Sequence, residues 1–301
     1  MRLKNFILLM FLILSCSAIS LAQDFHYTQY FFSPLGVNAA SAGGFSGSYR
    51  ISGIYRDQYR GSAREPFGGF GINIDVPVIR GLRKQDWVGV GLRMDQATAG
   101  SASQKMNIFG LGAAYHLAFN KKQSQFLSIG LQYGTGGYAY DRNSLSDNSF
   151  ASGIIQSITL SEQATQFKNG GNNAGGGGGG NNSSRFDGGS LNNLAVGLIY
   201  TRRNAKSGTE FKLGTNVEGI LNPDRGVQFV RGRDPFGIGL QIFSSYDFSI
   251  NTKSSLSSGA YYYMIGNASA IVVNSILNYK MKPEDDLTLH VGLGARNVRA
   301  A

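Results

Sequence analysis

Val88-Gly89-Val90-Gly91-Leu92-Arg93-Met94-Asp95 sets Val, Val, Leu and Met against Gly, Gly, Arg and Asp in strict alternation. Successive side chains of an extended chain point to opposite faces, so this octet reads as a strand with one aliphatic face and one small or polar face. The pattern returns at Leu127, Ile129, Leu131 and Tyr133, which alternate with Ser128, Gly130, Gln132 and Gly134. It returns again at Leu287, Leu289, Val291 and Leu293, interleaved with Thr288, His290, Gly292 and Gly294. The longest run places Ile238, Leu240, Ile242, Ser244, Tyr246, Phe248 and Ile250 opposite Gly239, Gln241, Phe243, Ser245, Asp247, Ser249 and Asn251. Outward from these runs, alternation predicts eleven strands, at 47–57, 66–76, 86–96, 105–118, 125–136, 191–202, 209–219, 237–250, 256–265, 268–279 and 286–297.

Most of these segments exceed the five or six residues usual for soluble strands. A strand crossing a bilayer at about 45° needs about 9–11 residues. The non-aliphatic face is mostly Gly, Ser, Asn and Gln, with isolated charges at Arg50, Arg56, Asp75, Arg93, Asp95, Lys212, Glu218 and Asp247. A soluble sandwich would turn its aliphatic face inward and a charged face outward. This composition instead suits a crowded polar interior with aliphatic side chains on lipid, and predicts a transmembrane antiparallel up-and-down β-barrel. In lipid an open sheet edge goes unsatisfied, so the sheet is expected to close. Tyr55, Tyr115, Phe119, Tyr133, Tyr200 and Tyr279 fall near segment ends, where an aromatic girdle belongs. The inward charges are expected to form a salt-bridge network.

Composition agrees and excludes several classes. The 301 residues include 42 glycines, and 15% are charged, against roughly 7% glycine and 25% charge in soluble domains. The one cysteine, Cys16, rules out a disulfide scaffold. Residues 1–22 read as a secretory signal peptide: Arg2 and Lys4, then an apolar run, then Ser20-Leu21-Ala22 before the cut. A lipobox reading of Ile13-Leu14-Ser15-Cys16 fits less well, because of the Leu at its third position. Removal of the leader lowers the net charge from +10 to +8. Export makes nucleic acid an unsuitable partner for that charge.

Residues 23–46 are expected to form an N-terminal periplasmic or lumen segment, and 47–301 the barrel. If the amino end starts in the periplasm, connections alternate between short inner turns and longer outer loops, the pattern of outer-membrane barrels. The inner turns are basic, with Arg80, Arg83, Lys84, Lys121, Lys122, Arg202, Arg203, Lys206, Lys253, Lys280 and Lys282. Solvated turns beside headgroups explain this, and so does a cationic rim that docks an acidic partner. The loop at 137–190 holds six consecutive glycines from Gly175 to Gly180. With no Lys-Ser/Thr after them, they make a flexible loop and no phosphate cradle. Glycines on the strands are expected to make room for neighbouring lumen side chains.

No catalytic constellation is visible. His26, His116 and His290 lack metal-ligand neighbours at useful spacing, and Glu284, Asp285 and Asp286 follow Pro283 in a turn. No cofactor, metal or enzymatic activity is expected.

The stretch Tyr27-Thr28-Gln29-Tyr30-Phe31-Phe32-Ser33-Pro34-Leu35-Gly36-Val37-Asn38-Ala39-Ala40-Ser41-Ala42-Gly43 resembles the opening of the PorP/SprF family. Gln29, Tyr30, Pro34, Leu35, Asn38, Ala40, Ala42 and Gly43 match its aromatic-x-Gln-Tyr, Pro-Leu, Asn-Pro-Ala and Ala-Gly pattern, with Ala39 in place of the proline. Tyr55-Arg56-Asp57-Gln58-Tyr59 resembles a second family strand, and Gly292-Leu293-Gly294-Ala295-Arg296 a late one. The resemblance implies an outer-membrane helper of the type IX secretion system of Bacteroidetes. It would assist secretion or surface attachment of cargo such as gliding-motility adhesins, with periplasmic lipoproteins and ring components as partners. A porin or hydrophobic-solute transporter is the alternative. In this family further strands follow the late motif, and bacterial barrels are normally even-numbered. The chain is therefore expected to carry about eleven of 14 strands.

Overall fold

The computed structural model describes residues 27, 29–58, 67–83, 85–99, 104–141, 186–204, 207–221, 238–265, 268–282 and 287–300. The expected leader at 1–22, the glycine run of the long loop, Lys84, Lys206 and the acidic turn at 283–286 lie outside them.

Eleven strands form one sheet: β1 (Arg50–Gln58), β2 (Phe67–Arg80), β3 (Trp87–Ala99), β4 (Gln104–Ala118), β5 (Gln125–Asp141), β6 (Phe186–Asn204), β7 (Thr209–Glu218), β8 (Gly239–Ser249), β9 (Ser254–Ile265), β10 (Ala268–Lys282) and β11 (Leu287–Ala300). Each pairs antiparallel with its sequence neighbours, in the order β1 to β11. The fold is all-β and up-and-down, as the alternation predicts. The expected closure needs correcting: among the described residues each strand pairs only with its sequence neighbours, so the sheet is open, with β1 and β11 as its two edges. Several strands outrun their expected bounds, β2, β5 and β6 by the most. β2 runs on through Pro77, which pairs with Gly89, and a bulge between Pro77 and Ile79 leaves Val78 out of the register. β5 and β6 continue to Asp141 and back from Phe186, so 137–141 and 186–190 belong to strands and not to the loop. Backbone pairing carries them on where side-chain alternation fades.

Alternation sorts the two faces as expected. Ile51, Leu111, Ile129, Leu131, Ile271 and Val273 are exposed on the outer face. Asn73, Asp75, Asp95, His116, Gln132, Asn216 and Asn274 are buried on the inner face. Tyr55, Tyr115, Phe119, Tyr133 and Tyr279 are exposed, as a girdle requires, and Tyr200 is half-buried. No helix among the described residues is long and apolar enough to cross a membrane.

The inner face is not polar throughout. Phe243, Tyr261, Tyr263, Ala270 and Val272 on β8 to β10 form an apolar cluster. Against it, and against the polar wall of β2 to β7, lies the segment before β1. It comprises a 3₁₀ turn (Tyr30–Phe32), one short helix, α1 (Pro34–Val37), and a second 3₁₀ turn (Ala39–Ser41). Pro34 starts α1 with its φ already helical and no donor to waste. Asn38 caps the second turn by accepting the Ala40 N–H at 2.8 Å.

Candidate functional site

The family-like stretch 27–43 occupies the concave interior; it touches ten of the eleven strands and shares an apolar cluster with β10. On β1, Arg50 donates to the Ser41 carbonyl at 3.1 Å. On β2, Asn73 donates to the Ser33 hydroxyl, and the Asp75 carboxylate accepts the Gly43 N–H at 2.8 Å. On β3, the Trp87 indole donates to the Gly43 carbonyl at 2.9 Å, and Tyr27 donates to Asp95. On β4, His116 Nε2 lies 2.8 Å from the Ala42 carbonyl and Nδ1 lies 2.6 Å from Ser128 Oγ on β5. A carbonyl only accepts, so Nε2 carries the proton and Nδ1 takes the serine hydroxyl. Asn38 is fully buried and donates to the carbonyls of Leu198 on β6 and Thr215 on β7. Tyr30 donates to the Ser244 carbonyl of β8 and packs on Tyr261 of β9 with ring centroids 5.1 Å apart. It also belongs to the cluster containing Val272 of β10. Phe32 meets His290 of β11 edge-on at 6.0 Å.

Glycine explains how a backbone lies this close to a strand. A Cβ at Gly130 would overlap the backbone of Ala39 and Ala40, and one at Gly89 would sit 2.6 Å from Gly43 Cα. Gly43 itself has a φ of +68°, which an L side chain rarely adopts. The expectation that strand glycines admit neighbouring lumen side chains therefore needs correcting at these positions, where they admit the N-terminal segment. The reason is long-range: Gly130 and Ala40 are 90 residues apart, and no local pattern couples them.

The inner charges form pairs more than one network. Arg50 bridges Asp75 through two nitrogens at 2.8 and 2.9 Å. Arg93 pairs with Asp95, and Glu210 lies between Arg203 and Lys212. Burial, reinforced by Asp95, pushes the Tyr27 phenol above its ordinary range, and burial with Asp247 does the same at Tyr30. Both phenols stay neutral donors.

The candidate rim residues gather at the short-turn end but do not behave alike. Lys121, Lys122 and Arg202 are exposed. Arg80 donates to the Gly47 carbonyl at 2.7 Å. Arg83 lies 3.2 Å from Asp86. Arg203 shares the inward parity of Ile199 and Thr201, and its guanidinium lies 5.1 Å from the Phe126 ring centroid. Arg203 is thus an interior group, not an outward rim cation. Sequence reasoning missed Asp86, whose carboxylate accepts from the Tyr115 hydroxyl at 2.7 Å and the Ala118 N–H at 2.8 Å, tying the β2–β3 turn to β4. Of the second motif, Tyr55 points outward, Arg56 is half-buried and Gln58 ends β1 opposite Phe67. Arg296 donates to the Tyr263 hydroxyl at 2.9 Å.

Below the N-terminal segment, toward the short-turn end, lies a cavity of about 110 Å³ bounded by Phe31, Val37, Phe126, Phe243, Arg50 and Lys212. Among the described residues no group of three or more His, Cys, Asp and Glu could hold a metal ion.

A family model described as the type IX secretion system membrane protein PorP/SprF matches residues 19–301. No curated protein matches the chain. Among solved structures it is similar to BamA from Haemophilus ducreyi lacking POTRA domains 1–3, at 11% identity and a TM-score of 0.37. The match covers 86% of this chain, and the chain spans 56% of that structure. By the family match, the chain belongs to the PorP/SprF family and is a membrane component of the type IX secretion system.

Proposed function

We propose that this PorP/SprF member acts in the outer membrane as a non-enzymatic accessory, assisting secretion or surface attachment of cargo such as gliding-motility adhesins. The observation that carries the reading is the occupied interior: residues 27–43 contact ten of the eleven strands and share an apolar cluster with β10. A protein so filled acts through its two ends. Short turns face the periplasm in barrels of this kind, and here that end exposes Lys121, Lys122 and Arg202. Such a face suits an acidic periplasmic partner, among the lipoproteins and ring components of the machine. A porin or hydrophobic-solute transporter needs a continuous passage, which the seated segment disfavours.

The test is recovery of the full chain from native outer membranes, with identification of what co-purifies. Secretion-machine lipoproteins are expected with the parent and depleted with Lys121→Glu/Lys122→Glu/Arg202→Glu. A clean monomer that conducts ions in a planar bilayer would overturn the reading.

A further inference from the structure

We infer that the outer face of β4 to β6 holds one anionic phospholipid, its tail in a groove over Ala113 and its phosphate on Arg202. The inference goes beyond the docking reading and does not rest on it. Ala113 is exposed on the outer face, with Val90 of β3 and Leu131 of β5 as its cross-strand partners. A small side chain between two larger ones leaves a furrow. It is lined by Val88, Ala113, Tyr115, Ile129, Leu131 and Val196, and no charged residue borders it. The Tyr115 hydroxyl donates to Asp86 at 2.7 Å, which fixes its ring as one wall.

Charge selects the headgroup. Arg202 shares the outward parity of Val196 and Leu198 and is exposed, whereas Arg203 turns inward to Glu210. Its cross-strand partners are Gln125 of β5 and Phe211 of β7, and among the described residues no carboxylate pairs with it. Of the acids at this end, Asp86 is held by Tyr115 and Arg83, and Glu210 by Arg203 and Lys212. An outward arginine at a strand end suits a phosphate, which its fork of donors grips with two bonds. Lys121 and Lys122, exposed in the turn that leads into β5, favour an anionic headgroup over a zwitterionic one. The spacing fits one molecule: from Gln125, beside Arg202, to Ile129 is about 13 Å along the strand. That lies within the half-thickness of about 15 Å of a bilayer core. A free phosphate would satisfy Arg202 alone; a lipid also fills the groove.

The full chain carrying Leu198→Trp, an outward reporter opposite Ile129, is reconstituted in equimolar phosphatidylglycerol and phosphatidylcholine vesicles. Bromine is placed on the tails of one lipid or the other. Quenching above the background of the buried native Trp87 gives the relative affinity of the two lipids at the groove. Phosphatidylglycerol is expected to bind about fivefold more tightly. Arg202→Gln, which removes the phosphate grip, and Ala113→Leu, which fills the groove, are each expected to bring the ratio toward one. Ala113→Val serves if the leucine variant loses heat-modifiable mobility in gels. Glycerol 3-phosphate in excess is expected to leave the ratio unchanged; its abolition by that anion would mark a free-phosphate site and overturn the inference. Equal quenching by the two lipids, a preference that survives Arg202→Gln, or one unmoved by both groove variants overturns it as well. None of these outcomes bears on the docking reading, whose test is co-purification.

Discussion

Replacing Gly130 by valine sets a β-branched side chain, well suited to a strand, in space held by the Ala39 and Ala40 backbone. Backbone atoms cannot rotate away as a side-chain tip can, so the segment must lift. Lifting breaks the two bonds from Asn38 to the Leu198 and Thr215 carbonyls and the bond from the Ala39 N–H to Asn216. At about 1 kcal/mol net apiece this removes about 3 kcal/mol from the seated state, on the order of a hundredfold in the lifted-to-seated ratio. The assay is maleimide labelling of Ala40→Cys, at a position 1% exposed, in a Cys16→Ser background. Gly134→Val is the control, because it shares the strand and the inward parity, yet its Cβ would meet nothing closer than 3.5 Å. Labelling about a hundredfold faster with Gly130→Val, and unchanged with Gly134→Val, is expected. Equal, slow labelling in all three, with the protein still heat-modifiable, would refute the proposed seat.

Asn38→Ala leaves two part-buried carbonyls and the buried Ala40 N–H without their side-chain partner, so stability should fall by about 2–3 kcal/mol, read as a lower midpoint of the heat-induced mobility shift. Asp75→Asn weakens the bridge to Arg50 and the charged acceptor of the Gly43 N–H; a fully buried pair would lose about 3–5 kcal/mol, and part-exposed Arg50 halves this to about 2 kcal/mol, read the same way. Desolvation raises the Asp86 carboxyl, but Tyr115, the Ala118 N–H and Arg83 outweigh it and hold the group below the usual carboxylate range. A lowered folded value means stability present above the ordinary carboxylate pKa and lost as pH falls through the folded one. Thermal midpoints of parent and Asp86→Asn should therefore differ at neutral pH and draw together in acid; a gap that stays constant to low pH would refute this.

The strands were legible because alternation needs only neighbours in sequence. Every one of the eleven follows from parity, and parity also sends Asp75, Asp95 and His116 inward. It even contained the correction at Arg203, since 199, 201 and 203 share a face; grouping that arginine with its turn obscured this. What sequence withheld is what joins distant residues. The stretch 27–43 was recognisable as a motif, but its seat depends on pairings such as Asn38 with Thr215, 177 residues on. Val272 and Ile276 of β10 are buried as Ile271, Val273 and Leu277 are exposed, so apolar residues on both faces hid the aromatic half of the interior from an alternation rule. Asp86 escaped because a lone acid in a basic turn looks solvated until Ala118 and Tyr115 are placed beside it.

The two halves of the interior suggest why the segment is integral to the sheet. Outside, aliphatic side chains are satisfied by acyl tails and ask nothing of the interior. Inside, the wall of β2 to β7 buries Asp75, His116 and Asn216, groups that are costly to dehydrate without partners. Their partners come largely from one place: the Gly43 N–H, the Ala42 carbonyl and the Ala39 N–H. The wall of β8 to β10 instead buries Phe243, Tyr261 and Val272, and there the segment supplies Tyr30 and Phe31. Its order of residues runs opposite to the strand order: the aromatic start meets β8 to β10, and the hydrogen-bonding backbone that follows meets β2 to β7. A segment so matched fills the interior as a core does, and whatever this protein recognises must then be met at its ends.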